Sequence, residues 1–398
     1  MNGIKNHYVQ YFRRRCLPGI KIMILLACFG NIAAAQNLPD GLINYGSNQQ
    51  IWLQKWRGLA KGENHKFRII QLGDSHTAGD YFSDFLRQSL QAKFGDGGIG
   101  WIYPNHVKGQ RSAVMSYEHQ GWQILTSRRD DADFPLGGVV TLSQGKQSLH
   151  LIPRKAQGAS AIILTLLPPR QGSSLLVRDA AGQRFRLLEE KGTAKQWFHT
   201  YLKATPPLSF QSADGAQWAL GAINIENEHK GVVYSAMGIN GAQFSEVNKW
   251  RMGWLQDLKR SRADLVILAY GTNEAFNTPF KPESVQQLWA QTLNNIHQAL
   301  PQAGILIIGA PESLKGTGGT CGTRAPSLDA IQNIQWYSAQ QHKTLYWSWQ
   351  NVMGGECGMK TWIRRKLARN DGVHFTQAGY EAAALHLSNA LIALAYSR

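Results

Sequence analysis

The sequence predicts an α/β fold, a parallel central sheet covered by helices, with an all-β domain inserted into it. Three observations carry this reading. Short apolar runs alternate with stretches of helical period, which implies parallel strands joined by helical crossovers. One run, "DLVILAY" at Asp264–Tyr270, has the near-continuous apolar character of a strand buried on both faces. Between about Gln110 and Lys230 the alternation stops, and β-rich runs separated by Gly, Pro, Asp and Ser replace it, the pattern of a sandwich or barrel.

The elements follow in order. Residues 1–35 contain Lys5, Arg13, Arg14, Arg15 and Lys21 and no acid, then a short apolar run from Ile22 and the small residues of "AAAQ" at Ala33–Gln36. This is the pattern of a secretory signal peptide cut after Ala35. The run is too short to span a bilayer. "LLAC", ending at Cys28, also resembles a lipoprotein cleavage site, which would tether the mature chain to a membrane. One helix is expected at Gln49–Ala60. Then come a strand at Arg68–Leu72 and a helix at Tyr81–Phe94. After the β-rich stretch, a strand at Gly231–Ala236 leads to a helix at Phe244–Lys259, and the strand at Asp264–Tyr270 to a helix at Glu283–Leu300. Gly304–Gly309 is a strand, Leu328–Gln341 a helix, Thr344–Trp347 a strand, and Thr376–Ala395 a final helix. In the insert the strand-like runs are "GGVVTLSQ", "SAIILTLL", "SLLVRDAAG" and "ALGAINIEN". The domains are thus a leader at 1–35, a first α/β part at 36–109, an all-β insert at 110–230 and a second α/β part at 231–398.

The formal charge of the 398-residue chain is +16. Without the leader it is +11, which still favours an anionic polymer. A secretory leader sets nucleic acid aside and points to a cell wall and the periplasm, with attachment to the outer membrane left open. Cys16 and Cys28 fall in the leader, leaving Cys321 and Cys357. In an oxidising compartment such a pair forms a disulfide; two reduced, buried thiols are the alternative. No H-E-x-x-H or cysteine metal spacing occurs. Gly95, Gly97 and Gly100 match a dinucleotide fingerprint in letters only. They follow a helix and precede "WIYP", where the fingerprint must follow a strand and open a helix, and they read as a loop.

Four short segments carry chemistry. In "RIIQLGDSHTAGDYFSD", Ser75 stands where a strand ends and a helix begins, a position that suits both a helix cap and a nucleophile. "MGINGAQF" places Gly241 after the next core strand, where a glycine allows an oxygen to approach the backbone N–H. "AYGTNEAF" places Asn273 at the carboxyl end of the most apolar strand, where open α/β sheets bind ligands. In "DGVHF", Asp371 precedes His374 by three residues, so its carboxylate can fix the imidazole tautomer while the other ring nitrogen takes a proton.

In this chain order the four blocks resemble the SGNH, or GDSL-like, hydrolases, over about residues 66–110 and 232–398. "QLGDSHTAGDYF", "FGDGGIGW", "AYGTNEAF" and "DGVHFTQAGY", with a leader and a β insert, are more closely similar to the peptidoglycan O-acetylesterases of Gram-negative bacteria. "GDSH" departs from the commoner GDS-L/Y. The resemblance implies Ser75 as nucleophile, His374 as base and Asp371 as its orienting acid. It implies an oxyanion hole from the N–H groups of Ser75 and Gly241 and the Asn273 side chain, and a carbohydrate-binding-module-like sandwich as the insert. The implied substrate is the 6-O-acetyl group of N-acetylmuramic acid in peptidoglycan glycan strands, hydrolysed without a cofactor. A periplasmic O-acetyltransferase would use the same triad, and a glycan-binding protein without activity is a third reading. His76 is expected to be structural, and Trp101 is a candidate sugar platform or a core residue.

Overall fold

A computed structural model describes residues 35–46, 50–188, 195–251 and 253–397. The predicted leader up to residue 34, with Cys16 and Cys28, lies outside them. Six parallel strands form the centre of one large sheet. In spatial order they are Leu345–Ser348, Gly304–Gly309, Leu265–Ala269, Lys66–Gly73, Gly231–Gly238 and Asp96–Ile102. Side-chain alternation sorts their apolar residues between two faces. Phe67, Ile69, Leu265, Ile267, Leu306 and Ile308 pack with helices Ile51–Ala60, Phe82–Phe94 and Gln377–Tyr396. Ile70, Leu72, Val266, Leu268, Ile305 and Ile307 pack with helices Trp254–Ser261, Pro282–Ala299 and Leu328–Gln341. The expected three layers follow.

The register explains where the chemistry gathers. Gly73 pairs with Gly238 on one side and Ala269 on the other. Three strands therefore end level, and Ser75, Gly241 and Asn273 follow within a few residues of that line. A Cβ on Gly73 would meet Thr77 Oγ1, and one on Gly238 would lie 2.7 Å from Asp74 O. These two glycines let the turn carrying Ser75 sit directly on the sheet.

The insert is built into this sheet. Ala219–Glu226 pairs antiparallel with Asp96–Ile102, and Ser160–Leu167 with Phe198–Ala204 continues the same sheet. Against it packs a five-stranded antiparallel sheet of Arg184–Leu188, Ser174–Asp179, Leu208–Ser212, Ser148–Pro153 and Met115–His119. Leu149, Leu164, Leu175, Phe210, Trp218 and Ile223 are fully buried between the layers. The sandwich and the α/β core thus share hydrogen-bonded strands.

Two expectations need correction. Gly97, Gly98 and Gly100 of "FGDGGIG" lie in the strand Asp96–Ile102, not in a loop, and Gly95 caps the preceding helix. Gly98 and Gly100 have φ of 126° and 81°, in a bulged strand squeezed between Glu226 and Ser235, and glycine adopts such angles without steric cost. The helix expected at Phe244–Lys259 is broken into a 3₁₀ turn, Phe244–Lys249, and an α-helix, Trp254–Ser261. Between them Trp250 bridges to Phe134 of the insert, and Arg251 N–H donates to Phe134 O at 2.6 Å. That contact holds the backbone extended. Trp101 is 4% exposed and is a core residue.

Cys321 and Cys357 are joined, with Cα atoms 4.5 Å apart and a sequence separation of 36. Cys321 lies between the short paired strands Leu314–Gly316 and Thr323–Arg324. Leu314 N–H donates to Gly372 O at 2.8 Å, so this hairpin supports the turn carrying Asp371 and His374. Replacing both cysteines by serine is expected to cost about 3–5 kcal/mol in the chain-entropy account. Urea unfolding under oxidising conditions measures it, and equal midpoints for the two proteins would refute it.

Candidate active site

Ser75 is the first residue of a single helical turn, Ser75–Ala78. Asp74, not Ser75, caps it: Asp74 Oδ1 accepts from His76 N–H at 2.9 Å. The Ser75 side chain is thereby released from the capping role that the sequence suggested. Its Oγ lies 3.1 Å from His374 Nε2, and His374 Nδ1 lies 2.9 Å from Asp371 Oδ2. Asp371 Oδ1 accepts from the backbone N–H groups of Val373 and His374, both at 2.9 Å. Partial burial pushes the Asp371 carboxyl up. The backbone bonds and the imidazole outweigh it and hold the group below the usual carboxylate value. An ionised Asp371 accepts a hydrogen bond from Nδ1–H, which leaves the Nε2 lone pair facing Ser75.

Gly241 and Asn273 border the same open cleft as Ser75 and His374, a space of about 690 Å³. Gly241 has φ of 75°. Its carbonyl accepts from Arg128 Nε at 2.9 Å, so the insert holds this loop. The Asn273 amide donates one N–H to Ala242 O at 2.8 Å and has a second to offer. Ser75 N–H, at the start of a helix, has no intrahelical acceptor. Sequence reasoning thus named five residues that the fold brings to one place. It missed Arg128, which lies 113 residues from its partner in sequence and carries no local signal.

Residues 97–209 match a model described as the peptidoglycan O-acetylesterase N-terminal family, and residues 210–382 match the GDSL-like lipase/acylhydrolase family. A solved structure of a peptidoglycan O-acetylesterase is 43% identical, with a TM-score of 0.84 over 90% of this chain and 99% of that one. The chain belongs to the peptidoglycan O-acetylesterase family. A family two carbohydrate esterase from Cellvibrio japonicus is 12% identical over 71% of this chain and 99% of that chain, with a TM-score of 0.31, which decides nothing. No curated protein matches.

In this member of the family, His76 lies beneath the site. It is 3% exposed, with Nδ1 3.0 Å from the Tyr380 hydroxyl. Burial, then the charge of His374, pushes its pKa down to about 3. A neutral ring there, 5.7 Å from the His374 ring, adds no charge to oppose an imidazolium on His374.

Glu274 is a further residue of the site, adjacent to Asn273 and 3% exposed. Its Oε1 accepts from Phe244 N–H at 2.6 Å, which joins the Asn273 turn to the segment after Gly241. Burial pushes its carboxyl up to about 7, with nearby Glu246 adding to the rise. A carboxyl raised in this way binds its proton more tightly folded than unfolded. Its contribution to stability is present below the ordinary value of 4.5 and is lost as pH rises through about 7. Glu274→Gln keeps the acceptor oxygen and cannot ionise. Its melting temperature relative to the parent is expected to rise between about pH 5 and about pH 8. A difference that stays flat with pH would show that Glu274 ionises at its ordinary value in the folded protein.

Proposed function

We propose that the chain is a serine esterase that removes O-acetyl groups from peptidoglycan, acting on the 6-O-acetyl group of N-acetylmuramic acid. The observation that carries this is the line Asp371–His374–Ser75, ending beside two further hydrogen-bond donors at one edge of an open cleft. His374 Nε2 takes the Ser75 proton as Oγ attacks the acetyl carbonyl. The oxyanion is held by the N–H groups of Ser75 and Gly241 and by the Asn273 amide. Asp371 stabilises the imidazolium. His374 returns its proton to the departing sugar hydroxyl, then takes one from water, and water releases acetate from Ser75. No residue of this scheme calls for a cofactor.

Acetate release from O-acetylated peptidoglycan, lost in Ser75→Ala, is the test. Acetyl transfer to added glycan is measured in the same assay, because the same residues would serve a transferase; free acetate is the expected main product. No release from the polymer by protein that cleaves a small acetyl ester would contradict the substrate. An extracytoplasmic location follows from that substrate, and we place the mature chain in the periplasm, delivered by its leader.

We further propose that the insert, residues 110–230, binds glycan. Supporting this, Tyr201 stands 64% exposed on Phe198–Ala204, and tyrosine offers an apolar ring with a polar tip to a binding partner. Tyr201→Ala is expected to weaken co-sedimentation with insoluble peptidoglycan. Turnover of 4-nitrophenyl acetate should stay within about twofold of the parent, as for a surface change of small free-energy effect. Unchanged sedimentation would remove Tyr201 from glycan binding.

A further inference from the structure

The cleft beside Ser75 has a one-sided charge. Arg111 and Arg369 line it, and no carboxylate among its described lining residues faces them. Two tyrosines line the cleft with them. Arg111 lies over the Tyr81 ring, 4.4 Å from its centroid. Tyr81 stacks with Tyr380 at 6.1 Å, and Tyr380 and Arg369 border the same cleft.

Arg369 is fixed at the base and open at the head, whereas the head of Arg111 is partly engaged. Arg369 N–H donates to His374 O at 2.8 Å, which roots it in the turn that carries the histidine. Its side chain is exposed and makes no hydrogen bond or ion pair among the described residues. Arg111 Nη1 donates to Asp80 O at 2.6 Å, which orients it. The nearest carboxylate to Arg111, Asp84, stands 3.8 Å away and is held more closely by Arg87, at 2.9 Å. Arg369 thus has no carboxylate partner among the described residues, and Arg111 shares Asp84 with Arg87.

We infer that Arg369 and Arg111 form a carboxylate subsite beside the acyl site, which favours acetylated glycans that carry a carboxylate near the ester. The inference rests on the esterase reading above. A muramoyl residue bears an ether-linked lactyl group on the same sugar as its 6-O-acetyl ester. That group ends in a carboxylate when no peptide is attached, and leads into peptide carboxylates when one is. A guanidinium matches either with paired N–H donors.

The test compares kcat/KM on O-acetylated glycans, with and without stem peptides, against the same glycans with carboxylates methyl-esterified and against neutral 4-nitrophenyl acetate. The parent protein is expected to prefer the free-carboxylate glycan over its methyl ester, and to lose that preference as salt is raised. In Arg369→Gln the ratio of kcat/KM on the free-carboxylate glycan to that on 4-nitrophenyl acetate should fall about fivefold, the scale of an exposed ion pair. Arg369→Glu should lower it further. Which glycan responds to esterification, the peptide-free or the stem-bearing one, identifies the source of the carboxylate. Equal parent rates on free and esterified glycans of both kinds, or an unchanged ratio in both variants, would overturn the subsite alone. A parent protein that cleaves 4-nitrophenyl acetate and neither glycan would overturn the esterase substrate and the subsite together.

Discussion

Ser75→Ala is expected to fold as the parent does and to lose ester hydrolysis by about 10⁴–10⁶ in kcat. The size of the loss comes from removing the covalent path, because His374 then has no hydroxyl at 3.1 Å from Nε2 to activate. The fold should be spared for a separate reason. The helical turn is capped by Asp74 through His76 N–H, so alanine at the first helical position removes no cap, and stability should change by less than about 1 kcal/mol. Thermal melts and steady-state kinetics on one preparation separate the two effects. An alanine variant that keeps most of its activity would exclude Ser75 as the nucleophile. A variant that melts far below the parent would show that Ser75 also holds the turn.

Asn273→Ala is expected to show the second largest effect, a fall of about 10²–10³ in kcat with KM nearly unchanged. A donor aimed at developing charge matters more in the transition state than in the bound substrate. The structure adds a structural cost. One amide N–H of Asn273 donates to Ala242 O at 2.8 Å, so the variant should also lose about 1 kcal/mol of stability. The decisive readout is therefore kcat on protein shown to be folded. Asn273→Asp should be at least as damaging, since a carboxylate repels the oxyanion and donates nothing to Ala242 O. A variant with a lowered melting temperature and an intact kcat would make Asn273 a turn residue only.

The clearest parallel strands were legible because they are buried on both faces and read as apolar runs. Leu265–Ala269 is buried at every position, and "DLVILAY" shows it. The site residues were legible because each stands just past such a run or in the turn before the last helix, so their convergence follows from parallel strands ending on one edge. What escaped notice depends on contacts distant in sequence. Asp96–Ile102 reads as a loop because glycine is a turn residue in local terms, yet here neighbouring strands require its missing side chain. The break after Phe244–Lys249 is imposed by Phe134, a residue of the insert, and nothing within 244–259 announces it. Glu274 stood in a quoted motif, but its burial and its bond to Phe244 N–H appear only when two loops meet. The charge of the cleft wall is likewise assembled from two arginines far apart in the chain.

The proposed mechanism passes through an acetyl-enzyme on Ser75 formed from O-acetylated peptidoglycan. The most direct measurement is rapid acid quenching of the protein during turnover of that polymer, followed by proteolysis and mass spectrometry of the peptide containing Ser75. An acetyl group on Ser75, present during turnover and gone when substrate is exhausted, is the predicted result. Steady acetate release with no acetylated Ser75 at any quench time, and full activity retained in Ser75→Ala, would contradict it.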